Sequence, residues 1–157
     1  MTTPRLDHSF FENEVRPHFG SVLLSAKLLR PDQLDHALEV QRGSGKRIGA
    51  VLIELGMLYE QDVARAIAIQ HDLPYIDLEA SSVDPRAAVK LRPEVGQSLE
   101  AIPVRFEATG LLVAVSDPEQ APKERLMAET GCKVSLCVGE PLVIVNAWRR
   151  LLRGQRA

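Results

Sequence analysis

Arg47 and Gly49 stand two residues apart at the head of RIGAVLIELG, a segment of helical periodicity, and that spacing has a definite chemistry. A guanidinium donates two parallel hydrogen bonds to the O6 and N7 edge of guanine, pairs with phosphate and stacks on a base. A glycine at the start of a helix removes the side chain that would hold a ligand off the backbone, where free N–H groups favour anions. Twenty-nine residues earlier, His18 and Gly20 keep the same spacing in HFGSVLLSAK. Two such units in tandem suit a ligand that is itself two-fold, with two guanines and two phosphates. The alternative reading of the same residues is a solvated Arg47 and two glycines that serve turns.

The units belong to a longer repeat. Residues 18–41 align without a gap on residues 47–70, two blocks of 24 residues separated by RGSGK. Six positions are identical, where roughly 1.5 would coincide by chance from average residue usage. They are Gly20 with Gly49, Val22 with Val51, Leu23 with Leu52, Leu29 with Leu58, Ala37 with Ala66 and Gln41 with Gln70. Within each block apolar residues fall at helical spacing on both sides of a break, which predicts two short helices around a tight turn. In the second block Ile48, Val51, Leu52 and Leu55 form the first stripe, Gly56 supplies the left-handed helix end, and Leu58 staples the turn to a helix carrying Val63, Ala66, Ile67 and Gln70. In the first block Arg30-Pro31-Asp32 does the equivalent work, with Pro31 in the first helical turn. A compact bundle of about four helices results, with a short one expected ahead of it in the 1–17 extension.

The remainder, 72–157, reads as α/β. Ile76–Leu78 is a short apolar strand, and Ala101–Phe106 and Leu111–Val115 are two β-rich runs around Glu-Ala-Thr-Gly, a hairpin loop. Asp117 before Pro118 is a plausible N-cap opening a helix, followed by a helical run with Leu126 and Met127. Residues 133–138 alternate as a strand, and 141–152 close as a helix with Ile144, Trp148 and Leu151 on one face. Arg149, Arg150, Arg153 and Arg156 cluster at its end. There they complement the helix dipole, which explains them better than nucleic acid does and leaves a docking role open.

At the residues of the repeat the sequence resembles the N-terminal domain of type II secretion and type IV pilus assembly ATPases, the MshEN-type cyclic di-GMP-binding domain. That family's signature is a tandem 24-residue motif with a five-residue spacer, R-L-G-x-x-L-x-x-x-G followed by spaced leucines and a final glutamine. The second copy here matches with Arg47, Ile48, Gly49, Leu52, Gly56 and Gln70. The first departs from it, with His18 in place of Arg, Phe19 in place of Leu and Lys27 at the later glycine. Neutral imidazole lacks the guanidinium fork, so one half of the ligand would be held less well, and Arg16 is the nearby substitute. The segments HDLPYIDL and LRPEVGQSLEAIPVRFEATGLLVAVSDP resemble the second half of the same domain.

The resemblance implies cyclic di-GMP as ligand, with Arg47 on guanine or phosphate, Gly20 and Gly49 admitting it to the backbone, and Leu23, Leu52 and Leu58 covering the base faces. Gln41 and Gln70 would hydrogen-bond the ligand or fix the repeat's turns. Ile48, Phe19, His18, Leu29 and Gly56 complete the motif positions. Asp117 follows a strand whose counterpart in the family leads to the ligand cleft, though a capping role explains it equally.

Composition narrows the classes. The 157 residues are 45% apolar and 25% charged, as in ordinary globular proteins, which excludes disorder, collagen and disulfide scaffolds. A net charge of −2 argues against a general binder of nucleic acid or anionic membranes. The N-terminal residues have charges where a secretory signal needs an apolar run, and no stretch reaches the roughly 18 apolar residues of a membrane span, so a cytoplasmic location is expected. Cys132 and Cys137 read as reduced packing residues. RGSGK is not a phosphate loop, because Val40 takes the place of its first glycine and Arg47 the place of its Ser or Thr. No histidine or cysteine spacing fits a metal, no nucleophile elbow or set-apart carboxylate pair supports a hydrolase, and the ATPase core of the family is absent.

The expectation is thus an α+β protein with three parts: a 1–17 extension, a helical tandem repeat over 18–71, and a small α/β domain with a short mixed sheet over 72–157, on which the repeat packs. It would act without catalysis or cofactor, as a stand-alone cyclic di-GMP sensor relaying nucleotide state to a protein partner of a secretion, pilus or motility system. The alternative function is a nucleotide-independent adaptor that docks onto a secretion or pilus assembly component.

Overall fold

The 29-residue offset of the sequence repeat is also the offset of the backbone. The computed structural model describes residues 18–154, and the chain divides after His71 into two compact units. The 1–17 extension with its expected helix, Arg16 and Arg156 lie outside the described residues. In the first unit α1 (Phe19–Ser25) and α2 (Pro31–Ser44) form one copy, and α3 (Ile48–Glu54) and α4 (Glu60–Gln70) form the other. Both α1 and α3 follow an extended residue, His18 or Arg47, and both end in the same pair of hydrogen bonds. Gly56 N donates to Ile53 O at 3.0 Å and Met57 N to Leu52 O at 3.0 Å; Lys27 N donates to Leu24 O at 3.1 Å and Leu28 N to Leu23 O at 3.0 Å. This is the Schellman arrangement, and it needs a left-handed residue just past the helix. Gly56 meets that need at φ 72°, and Lys27 is held at φ 58° in the same place.

The second helix of each copy opens alike as well. The Arg30 N–H donates to Gln33 Oε1 at 3.0 Å and the Tyr59 N–H to Asp62 Oδ2 at 3.1 Å, each satisfying a donor that the helix itself leaves over. The apolar identities of the repeat are the core: Val22, Leu23, Leu29 and Ala37 are buried with Val51, Leu52, Leu58 and Ala66 in one cluster. Helix α1 packs on α4 and α2 on α3, so each copy's first helix lies on the other copy's second. Neither copy could bury its apolar stripe alone. Leu55, expected in the second block's stripe, is 37% exposed, because it is the C-cap of α3, at the position of exposed Ala26 in the first copy.

The second unit holds two further short helices that the sequence reading did not anticipate, α5 (Pro85–Ala88) and α6 (Pro93–Leu99). Each begins with proline at its first position, and Asp84 caps α5 by accepting from Arg86 N at 2.9 Å. Strands β1 (Ala101–Glu107) and β2 (Gly110–Val115) form an antiparallel hairpin over Ala108-Thr109, and helix α7 (Lys123–Thr130) crosses over to β3 (Val134–Val138), parallel to β2. The order β1-β2-β3 makes β2 central, which explains its uninterrupted burial from Leu111 to Val115. Helix α8 (Pro141–Gly154) buries Ile144, Ala147 and Trp148, and Trp148 Nε1 donates to Ala101 O at 2.8 Å.

Two local expectations are corrected here. The apolar run Ile76–Leu78 is not a strand: it follows a single parallel bridge, Tyr75 with Val138, after which Asp77 Oδ1 accepts from Glu79 N and turns the chain. Asp117-Pro118 does not open a helix either. A helix through it would need an N–H from Pro122, which has none, and a helical conformation at Ala121, which the proline disfavours. The chain makes a turn instead, with Asp117 Oδ1 accepting from Glu119 N at 2.8 Å, and α7 starts after Pro122.

Candidate functional site

The repeat places the paired motif residues in matching environments. His18 and Arg47 are both exposed N-cap residues, Phe19 and Ile48 are half-buried, and Gln41 and Gln70 are half-buried near or at the ends of α2 and α4. Neither N-cap side chain bonds its own helix end, so the leading N–H groups of α1 and α3 lack an intrahelical partner. Gly20 and Gly49 are the second residues of these helices, not turn residues as the alternative had it. A Cβ on Gly49 would come 2.9 Å from Val63 Cγ1, and one on Gly20 3.1 Å from Leu34 Cδ2. Their small size lets the two helices of a copy approach closely, a role that periodicity alone did not suggest.

The leucines differ from the expectation. Leu23 and Leu52 are fully buried and Leu29 and Leu58 nearly so, all within the core cluster, so they hold the helices that carry the motif and present no surface to a base. Apolar residues one turn apart along a short helix face inward together, and the core claims that face first. Gly56 acts through its backbone, at the end of α3. Of the two roles weighed for Gln41 and Gln70, the fixing of turns finds no support, since among the described residues neither side-chain amide makes a hydrogen bond to a turn. Asp117 lies half-buried in the second unit's turn, with its carboxylate on Glu119 N.

Among the described residues no group of three His, Cys, Asp or Glu side chains could hold a metal. Both cysteines are free, and burial pushes the Cys137 thiol up to about 12, far from a nucleophile's range. The sequence reading missed two part-buried carboxylate contacts, from the Tyr75 hydroxyl to Glu140 and from the Ser116 hydroxyl to Glu100. Glu100 is also left-handed at φ 52°, between α6 and β1. No short-range pattern marks such pairs, whose partners lie 65 and 16 residues apart. Among the described residues no helix is long and apolar enough to cross a membrane.

The described chain is thus a unit of two tandem helix pairs followed by a unit built on a small mixed sheet. The MshEN domain model matches residues 71–157, more than half of the chain, and the chain belongs to that family. The likeness extends beyond the matched span. A structure of MshE with cdg, cyclic di-GMP, is similar over 87% of this chain and 99% of that one, with a TM-score of 0.77 and 28% identity. The N-terminal domain of XpsE shares the fold, at a TM-score of 0.67 over 87% of this chain, with 24% identity. The type IV pilus assembly ATPase PilB of Thermus thermophilus is 32% identical over 97 residues, 62% of this chain, and that of Myxococcus xanthus 28% identical over 132 residues, 83% of it. This chain spans only 11% and 23% of those two proteins.

Proposed function

We propose that this protein is a non-catalytic, cytoplasmic cyclic di-GMP sensor that relays nucleotide state to a protein partner in a pilus, secretion or motility system. The observation that carries this reading is the repeat: two copies present their N-cap residue, half-buried apolar residue and glycine at equivalent places on the backbone, as a two-fold nucleotide would require. The similarity to MshE with cdg supports it, because the shared span is larger than the second unit and reaches into the repeat. In this reading Arg47 donates to guanine or phosphate, and Ile48 and Phe19 lie against the bases. Gly49 and Gly20 leave the backbone open, and Gln70 and Gln41 offer their amides. Gly56 keeps α3 in register, while Leu23, Leu29, Leu52 and Leu58 support the motif from beneath. Asp117 belongs to the second unit, where its carboxylate accepts from Glu119 N and serves the turn.

A second reading, a nucleotide-independent adaptor for a secretion or pilus component, is favoured by one observation. His18 occupies the N-cap position where the second copy carries Arg47. Isothermal titration with cyclic di-GMP, against GTP and cyclic di-AMP, separates the two. A sensor binds the first alone, loses about 1.5–3 kcal/mol of binding in Arg47→Ala and gains affinity in His18→Arg, as hydrogen bonds from charged donors do. An adaptor gives no heat with any of them.

A further inference from the structure

Helix α8 carries Arg149, Arg150 and Arg153 and no acidic residue, whereas residues 72–140 of the same unit hold twelve acidic and seven basic residues. The unit is therefore strongly polarised. Arg30, Arg86, Arg92, Arg105 and Arg125 each pair with a carboxylate, but the three α8 arginines are exposed and have no ion-pair partner among the described residues. The helix dipole accounts for only part of the cluster. Its influence is confined to the last turn, where Arg153 lies, and Arg149 and Arg150 stand a turn earlier. The 149/153 and 150/153 spacings place like charges side by side on the helix, an arrangement that weakens it unless an anion is bound.

A second observation lies beside the cluster. A cleft of about 550 Å³ opens between α8 and the segment from Leu78 to Pro85, with Leu78, Val83, Ala147 and Leu151 as its apolar wall and Ser82, Arg150 and one carboxylate, that of Glu79, among its lining. Arg150 thus belongs both to the charged patch and to the apolar recess. We propose that this end of α8 and its cleft dock an acidic protein segment, one apolar side chain seated in the cleft and flanking carboxylates on Arg149, Arg150 and Arg153. Extended polyanions suit the surface less well, because a membrane or a nucleic acid would also meet the acidic remainder of the unit. The proposal rests on the reading that the protein has a protein partner, and names the surface that would receive it.

The test uses the full chain without nucleotide, so that a failed cyclic di-GMP titration and a failed docking surface are separate results. The probe is a fluorescein-labelled peptide of glutamates around a central leucine, followed by anisotropy at low salt. Saturable binding is expected. It should weaken at least about tenfold in the charge-reversed Arg149→Glu/Arg150→Glu/Arg153→Glu variant, in Ser82→Tyr, which fills the cleft and leaves the charges alone, and with added salt. With wild-type protein, replacing the peptide's leucine by serine or its glutamates by glutamines should have the same effect, so the proposal stays testable even if a variant misfolds. No saturable binding, or equal binding by the charge-reversed variant, would overturn it. So would phosphatidylserine vesicles or duplex DNA binding as tightly as the peptide, since the patch would then be a general anion attractor.

Discussion

The two copies of the repeat follow one backbone with different residues at two telling positions. Where the second copy has Arg47 and Gly56, the first has His18 and Lys27. The bounds of α1 and α3, the starts of α2 and α4, the hydrogen bonds that end α1 and α3 and the buried identities nonetheless agree at the 29-residue offset, and Lys27 adopts the left-handed conformation that Gly56 takes without strain. The difference teaches that the turn is imposed by the core on either side of it. Leu23 and Leu29 in the first copy and Leu52 and Leu58 in the second are buried in one cluster, and the link between them has a single short path whatever residue occupies its corner. Symmetry also stops short of the whole unit. Exposed Asp35 and Glu39 on α2 correspond to Ala64 and Ala68 on α4, both buried, so only the second copy carries a second apolar face.

The largest effect would come from the leucines that both copies bury completely. Leu23→Ala and Leu52→Ala should each destabilise the protein by about 2–5 kcal/mol in chemical denaturation. If the copies are energetically equivalent the two losses agree; a clear inequality would show that one copy nucleates the unit and the other is templated on it. The corner residues come next. Lys27→Gly should raise stability by roughly 1 kcal/mol and Gly56→Lys lower it by a similar amount, since a side chain in the left-handed region costs about that much. No gain from Lys27→Gly would mean that the lysine side chain makes compensating contacts.

The smallest effect concerns an exposed pair that only the first copy has. Arg30 Nε donates to Asp32 Oδ1 at 3.1 Å, and this hydrogen bond, with the positive charge beside it, holds the Asp32 carboxyl below its ordinary value. A lowered folded-state pKa contributes stability above the unfolded value and loses it as pH falls through the folded one. Both groups are exposed, so the contribution is slight and salt-sensitive. Carboxyl NMR titration should show Asp32 titrating below the usual range and moving back up in Arg30→Ala.

How much of this was legible in the sequence depended on range. The helices of the repeat, the glycine corner at Gly56, the proline start at Pro31 and the β1–β2 hairpin follow from spacing over a few residues. The misreadings have a common form. Asp117-Pro118 looked like a helix start until Pro122, five residues on, removed the N–H that such a helix needs. Leu23 and Leu52 sit in the repeated motif at positions expected to cover a base, yet the core claims them. Gly20 and Gly49 read as turn glycines in the alternative, yet they lie inside α1 and α3, where Leu34 and Val63 of the next helix come close.

By itself the sequence determined a duplicated helix pair followed by a small α/β unit, because helical periodicity, caps and turn residues are local properties that survive without a fold around them. Only the tertiary structure decided that α1 packs on α4 and α2 on α3, and that β3 runs parallel to β2. It alone placed Lys27 in a conformation its own chemistry disfavours and left the arginines of α8 without an ion-pair partner among the described residues. These depend on which surfaces meet across tens of residues, where the burial of many apolar side chains together outweighs the preference of any one.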